Sequence, residues 1–247
     1  MSDKPFFVGY LTPPPGLRAF LAVICVGMVV GFGAVGWVVG STQPDPGSGL
    51  LYGRQTVTGL LQAQPYPHVH VTEGTDELPV GRTVLLGGGG KTGVDDRAVP
   101  LDGQIVTVSG AAVKRGDLDM IQLRGGTRGM SAMMGELPEV EVEDLGRWRL
   151  TGEICDGKCY AGAMLPGDGL AHRACANLCL IGGVPPVFVT TAPVEGDDFL
   201  LIGGPEGGPI TDLLLDYTAL MISAEGRIER RGDLLVFLVD PETIEVL

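Results

Sequence analysis

Ile105-Val-Thr-Val-Ser-Gly-Ala-Ala-Val113 runs through Lys114-Arg115-Gly116-Asp117 into Leu118-Asp-Met120-Ile-Gln-Leu123. Two runs of β-branched and aliphatic residues around a glycine-containing turn read as a β-hairpin, the glycine supplying a positive φ. The same signal returns 116 residues on, where Leu220–Glu229 and Leu234–Val239 flank Arg230-Arg231-Gly232-Asp233.

At that shift Leu85–Leu118 aligns with Leu201–Leu234 without a gap, and nine of the 34 positions are identical. Chance at this composition gives about two or three, so the pattern reads as an internal duplication. Each copy also begins with a strand carrying Thr-Gly, Thr56–Leu61 in the first and Trp148–Ile154 in the second. Short, turn-rich strands in so few residues fit a small, partly open barrel better than a large sandwich. The expectation is a mainly β chain: one N-terminal transmembrane helix, then two tandem small OB-like β-barrels, the second with a Cys-rich helical hairpin insert. The boundaries expected are a cytoplasmic tail over 1–18, a transmembrane helix over 19–40 and a linker over 41–52. Lobe 1 follows over 53–130, an acidic linker over 131–147 and lobe 2 over 148–247, with the insert at about 155–181.

Composition narrows the function. The 247 residues carry 30 acidic and 17 basic side chains, a formal charge of −13. That balance excludes nucleic acid as a partner, because phosphate binding needs a basic surface. The 40 glycines and 18 prolines, without a Gly-x-y period, suit strands and tight turns.

From Ala19 to Gly40 there are 22 residues with no charged side chain, about 33 Å of helix, the thickness of a bilayer's hydrocarbon core. A cleavable signal would have a shorter apolar run with an Ala-x-Ala-like end, so the segment reads as a retained anchor. Cys25 follows the bulky Ile24 inside the run, which argues against a lipidated cysteine. Lys4 and Arg18 precede the helix and no basic residue follows until Arg54. The N-terminus is therefore expected in the cytoplasm, with an inner-membrane span and the C-terminal domains periplasmic or extracytoplasmic. Subtracting Lys4, Arg18 and Asp3 leaves 15 basic and 29 acidic residues outside, a charge of −14. Gly27 and Gly31, like Gly36 and Gly40, form small-xxx-small pairs that allow close approach of a partner helix.

Every cysteine beyond the anchor lies in Cys155-Asp-Gly-Lys-Cys159 or Cys175-Ala-Asn-Leu-Cys179. If Thr58-Gly59 and Thr151-Gly152 correspond, their shift is 93, and the second lobe holds 116 − 93 = 23 extra residues around these cysteines. A spacing of four puts each pair on one helix face, and Pro166-Gly-Asp-Gly169 is a turn between two short helices. Antiparallel helices set Cys155 against Cys179 and Cys159 against Cys175, the disulfide pairs expected in an oxidising compartment, although four cysteines allow three pairings. The alternative is a metal site using Cys155, Cys159, Cys175, Cys179 and His172, with zinc, copper or an iron–sulfur cluster as the cofactor. A third reading is a reactive dithiol activated by Lys158 and Arg173.

Tyr160, Met164, His172, Arg173 and Gly182-Gly-Val-Pro-Pro186 surround these cysteines. The string resembles that of a family of membrane-anchored bacterial proteins of unassigned activity carrying C-x3-C, H-R-x-C-x3-C and G-G-x-P-P. The resemblance spans Cys155 to Pro186 and implies only an association with respiratory or molybdenum-type oxidoreductases. An anchor followed by an exported barrel is also loosely similar to the periplasmic haem chaperone of cytochrome c maturation. That family attaches haem through a His with a Tyr four residues on, whereas the histidines here, His68, His70 and His172, have no such tyrosine. Haem is therefore a minor expectation.

Taken alone, His172 and Arg173 offer a donor pair to a partner's carboxylate or a cofactor propionate. The plainer reading has Arg173 paired with a surface acid and His172 capping a helix. Gly87-Gly-Gly-Gly-Lys91-Thr92 imitates a phosphate loop, but Leu85 stands where the motif needs glycine, so a flexible turn is expected. His68 and His70 share one strand face and suit either a solvated edge or a metal pair with Glu73. The acidic run Glu136–Asp144 reads as a solvated linker, or as a contact for a basic cytochrome c. Neither a nucleophile–base pair nor a carboxylate dyad is evident, so catalysis is not expected. The reading is a membrane-anchored accessory subunit of a larger redox complex, docking through the helix and barrels. Metal or haem delivery and envelope thiol–disulfide exchange are the alternatives.

Overall fold

The computed structural model describes residues 13–42 and 47–247. Lys4, most of the expected tail and residues 43–46 of the expected linker lie outside the described residues. The chain divides into two units, residues 1–43 and 44–247.

The first unit is a helix, α1 (Pro15–Thr42), 28 residues long. Pro15 fits the first helical position, where its fixed φ helps and its missing N–H costs nothing. Apolar residues occupy every face instead of one stripe, and the helix is long and apolar enough to cross a membrane.

In the second unit the duplication is visible strand by strand. The first copy contains β1 (Leu50–Gln62), β2 (His68–Glu73), β3 (Thr83–Gly87), a short helix α2 (Asp95–Ala98), β4 (Ile105–Arg115), β5 (Leu118–Leu123) and β6 (Met130–Ala132). The sheet order β1-β2-β3-β5-β4 closes through β1–β4 pairing into a five-stranded barrel, with β3 and β5 parallel and the other pairs antiparallel. The second copy contains β7 (Val142–Asp156), α3 (Arg173–Ile181), β8 (Pro186–Val194), β9 (Asp197–Gly203), α4 (Thr211–Leu214), β10 (Met221–Arg231), β11 (Leu234–Val239) and β12 (Glu245–Val246). Its pairings follow the same circuit, β7-β8-β9-β11-β10 and back to β7, with β9 and β11 parallel.

Both bounds of α2, β4 and β5 reappear 116 residues later as those of α4, β10 and β11. Register fixes the other offset: Thr58 pairs with Thr107, and Thr151 pairs with Ser223, which is 107 + 116. Thr58 and Thr151, 93 residues apart, thus hold matching ladder positions, and the β7–β8 connection is longer than the β1–β2 connection. Both hairpins turn through two residues with glycine first, Gly116 at φ 55° and Gly232 at φ 62°.

Alternation along the strands builds three cores. On β11, Leu235, Phe237 and Val239 fill the second barrel, while Leu234, Val236 and Leu238 enter a separate cluster. On β5, Ile121 and Leu123 face the first barrel, while Leu118 and Met120 join that same cluster. The third cluster is thus the seam between the copies, and β11 is buried along its whole length because both faces are covered. An uninterrupted Leu-Leu-Val-Phe-Leu-Val records that double burial in the sequence.

The seam repeats one contact in two forms. The loop after β9 meets the β1–β2 connection: Tyr66 Oη lies 2.7 Å from Thr211 Oγ1 and accepts from the Ile210 amide at 2.9 Å. The loop after β3 meets the β7–β8 connection, which carries the cysteines. The duplicated arginines reach across likewise: Arg231 donates to Gln64 O at 3.3 Å, and Arg115 stacks 4.3 Å over the Tyr160 ring. Arg82 closes the seam, bonding the buried Asp119 at 2.6 Å and Asp233 of the other copy at 3.3 Å.

Two expected boundaries move. Strand β1 starts at Leu50, and β7 starts at Val142 inside the expected acidic linker. Glu143 and Asp144 pair with β10 in the ladder and lie 3.6 Å from Arg230 and 3.7 Å from Arg227, so the end of the acidic run is sheet.

Candidate metal centre

The β7–β8 connection is not the expected helical hairpin. Cys155 belongs to β7, where alternation turns it into the seam core, and its Sγ donates to Glu153 Oε1 at 3.3 Å. Asp156 follows on the opposite face. Cys159 opens one turn of π-helix, Cys159–Ala163, which Gly162 ends at φ 125°. Of these four cysteines only Cys175 and Cys179 sit on an α-helix, one turn apart on α3.

Asp156 organises this segment. Its Oδ1 accepts from the Cys159 amide at 2.8 Å, and its Oδ2 lies 3.1 Å from His172 Nε2, with both side chains buried. His172 stands at the N-cap position of α3, but its ring makes no capping bond and turns to Asp156 instead. Arg173 points the other way and donates to the carbonyl of Asp216 at 2.7 Å, not to a surface carboxylate.

Sulfur atoms converge on the imidazole. One donor atom each from Cys159, His172 and Cys175 lies within 4.8 Å of the others, and the same holds for Asp156, Cys159 and Cys179. The Sγ atoms of Cys159 and Cys179 are 4.0 Å apart, and Cys175 Sγ lies 3.4 Å from Met164 Sδ. Of the expected pairs, Cys159 and Cys175 do fall in one group, within 4.8 Å, whereas Cys155 lies on the strand and shares no group with Cys179. Among the described residues all five cysteines are free, and Cys25 is exposed on α1, as are Gly27 and Gly31.

The glycine loop after β3 completes the site. Lys91 Nζ lies 2.6 Å from Cys175 Sγ, 3.3 Å from the Cys175 carbonyl and 3.7 Å from Cys179 Sγ. Lys158 reaches back and donates to Gly88 O at 2.7 Å and Gly90 O at 2.6 Å. The Gly93 amide donates to Gly182 O at 2.6 Å, and a Cβ on Gly182 would meet Lys91 O at 1.8 Å. The glycines thus allow backbones of the two copies to touch, so the loop expected to be a flexible turn is a clasp. A cavity of about 340 Å³ opens between them, lined by Lys91, Gln122, Lys158, Cys159, Met164 and Cys179.

These contacts set the protonation pattern. The contact between the Cys159 and Cys179 sulfurs, with burial, pushes the Cys159 thiol up, whereas the same contact, with Lys91 nearby, draws Cys179 down against burial. Lys91 is held up by its bond to Cys175, burial lowers Lys158, and burial raises Cys155 well above the usual thiol range.

Comparison with protein-family models, curated proteins and solved structures finds no match to the chain.

Three thiols and an imidazole make a legitimate donor set for zinc, and thiolates also suit copper(I). A carboxylate on the far ring nitrogen is the usual support for a metal-binding histidine. His68 and His70 serve another purpose. Both rings bond Gln62 Oε1, at 3.1 and 3.0 Å, and their other nitrogens lie 2.8 Å from Tyr66 O and 2.9 Å from Thr83 Oγ1. With every ring nitrogen engaged and both side chains buried, they are neither a solvated edge nor a ligand pair. Asp156 and Lys91 were missed in the sequence, although continuing the Trp148–Ile154 strand by two residues places Asp156 opposite Cys155.

Proposed function

We propose that this chain is a membrane-anchored extracytoplasmic accessory subunit of a respiratory or other redox membrane complex, and that it carries a thiolate metal centre. The carrying observation is the convergence of Cys159, Cys175 and His172 donor atoms within 4.8 Å, with Cys179 4.0 Å from Cys159. Cys159, Cys175, Cys179 and His172 hold a soft d10 cation, zinc or copper(I), while Asp156 fixes the imidazole and Lys91 and Lys158 balance excess thiolate charge.

The strand circuit with one parallel pair and a helix between the third and fourth strands supports two tandem OB-like barrels. Arg18 before the helix against Arg54 after it supports an inner-membrane span with its N-terminus in the cytoplasm. Exposed Leu165, Leu170, Leu178 and Ile181 on the cysteine segment support docking to a partner protein at the site.

Full-length protein, purified in mild detergent under reducing conditions, is expected to carry zinc or copper in stoichiometric amount and to lose it on Cys159→Ser. Metal-free protein that takes up neither ion would overturn this assignment. The 4.0 Å Cys159–Cys179 separation, with Lys91 beside Cys179 drawing its thiol down, favours a second reading, thiol–disulfide exchange. Its mark is a reversible Cys159–Cys179 disulfide in metal-free protein.

A further inference from the structure

Cys175 stands apart from the other two thiols of the site. Cys159 and Cys179 are buried and face each other, whereas Cys175 is partly exposed. The sulfur 3.4 Å from it belongs to Met164, a thioether that cannot form a disulfide. Its closest polar neighbour is Lys91 Nζ at 2.6 Å, inside the van der Waals separation of nitrogen and sulfur. The Cys175 carbonyl, 3.3 Å from the same ammonium, and the clasp of Gly93 on Gly182 hold the lysine there.

We propose that Lys91 and Cys175 are a modification site at which dioxygen joins the two side chains through one oxygen atom, as Nζ–O–Sγ. Solvent-accessible cysteines are the first to be oxidised, and an oxidised sulfur is captured by an adjacent nitrogen. The observed separation suits one intervening oxygen. A direct S–N bond needs the loop and α3 to close much further.

The step balances with dioxygen as the oxidant. The Lys91 ammonium first releases one proton to water; an N–H bond of the resulting amine, the S–H bond and the O=O bond then break, while N–O and O–S bonds form. The second oxygen leaves as water with the two hydrogens. Nitrogen and sulfur each give up two electrons, which together reduce one dioxygen. A dithiol reverses the link by attack on sulfur.

The link staples the loop after β3 to α3 across the seam and withdraws Cys175 from the donor set. It does not depend on the metal assignment, since it needs only Lys91, Cys175 and oxygen. The test is peptide mass analysis of the full-length chain in detergent after exposure to air, with metal content measured on the same sample. The expected product joins the Lys91 and Cys175 peptides. It is heavier than their sum by one oxygen and lighter by two hydrogens, disappears with dithiothreitol, and is absent from Lys91→Arg and Cys175→Ser. Recovery of Cys175 as sulfinic acid, in a disulfide or as a direct S–N link, with no oxygen-bridged peptide, would overturn the proposal. Bridge without metal in the reduced sample removes the metal assignment alone, and metal without bridge in the oxidised sample removes this proposal alone.

Discussion

His172 Nε2 and Asp156 Oδ2 lie 3.1 Å apart, buried beneath three thiols. Asp156 also receives the Cys159 amide, so one carboxylate aims both the ring and the turn that carries the first sulfur. Asp156→Ala should cost about 1–3 kcal/mol, the penalty for leaving buried partners unpaired. It should also weaken metal binding by about 10- to 100-fold. Asp156→Asn should retain more of both. Chemical denaturation and competitive metal titration measure the two effects separately, and an unchanged metal affinity in Asp156→Ala would mean that the carboxylate does not position the ring.

Clasping of the two copies is the next target. Lys158→Met leaves the Gly88 and Gly90 carbonyls without their donor, and Gly182→Ala forces a methyl group against Lys91 O. Each should destabilise the chain by about 1–3 kcal/mol. Each should also speed alkylation of Cys175 by freeing the loop. Unchanged alkylation rates would show that the loop does not shield the thiol.

Packing at the second barrel should dominate stability. Phe237, fully buried against Phe188 with ring centroids 5.4 Å apart, should cost about 3–5 kcal/mol when changed to alanine. Leu213→Ala, at an exposed position, should stay within about 0.5 kcal/mol of wild type. Thermal melts of the two variants test the contrast.

Acid should destabilise the protein through the buried histidines. Burial pulls His68 down to about 3 from an ordinary 6.5 and lowers His70 as well. Between those values the unfolded chain binds the proton and the folded chain does not. Stability is therefore complete above 6.5 and falls as pH drops toward 3. Asp197 acts in the opposite sense, since burial and Asp117 raise it to about 6 and the folded form keeps a proton longer. His68→Gln should flatten the acid limb of stability against pH, and Asp197→Asn should steepen it. Parallel curves for wild type and His68→Gln would remove His68 from the account.

The duplication was legible because glycine turns and double-sided burial leave fixed marks: Arg-Gly-Asp recurs at 116, and Leu234–Val239 is apolar throughout. Those marks located both hairpins. The cysteine segment was misread because a spacing of four implies a helix only where backbone pairing does not compete. Cys155 is held in the ladder opposite Val187, and only the second pair obeys the rule. Lys91 was invisible for a different reason. Its role comes from a contact with Cys175, 84 residues away in the other copy, and a glycine run before a lysine resembles a flexible turn until the opposing Gly182 is seen. His68 and His70 were placed on the right strand face but not in the core, since Gln62 lies on the neighbouring strand.

Metal content of the full-length protein compared with its Cys155→Ser and Cys159→Ser variants tests the central claim most directly. Wild type and Cys155→Ser should both hold stoichiometric zinc or copper, because Cys155 faces Glu153, while Cys159→Ser should lose it. Equal loss from both variants, or metal in neither wild type nor variant after reduction and loading, would contradict a centre built on Cys159, Cys175, Cys179 and His172.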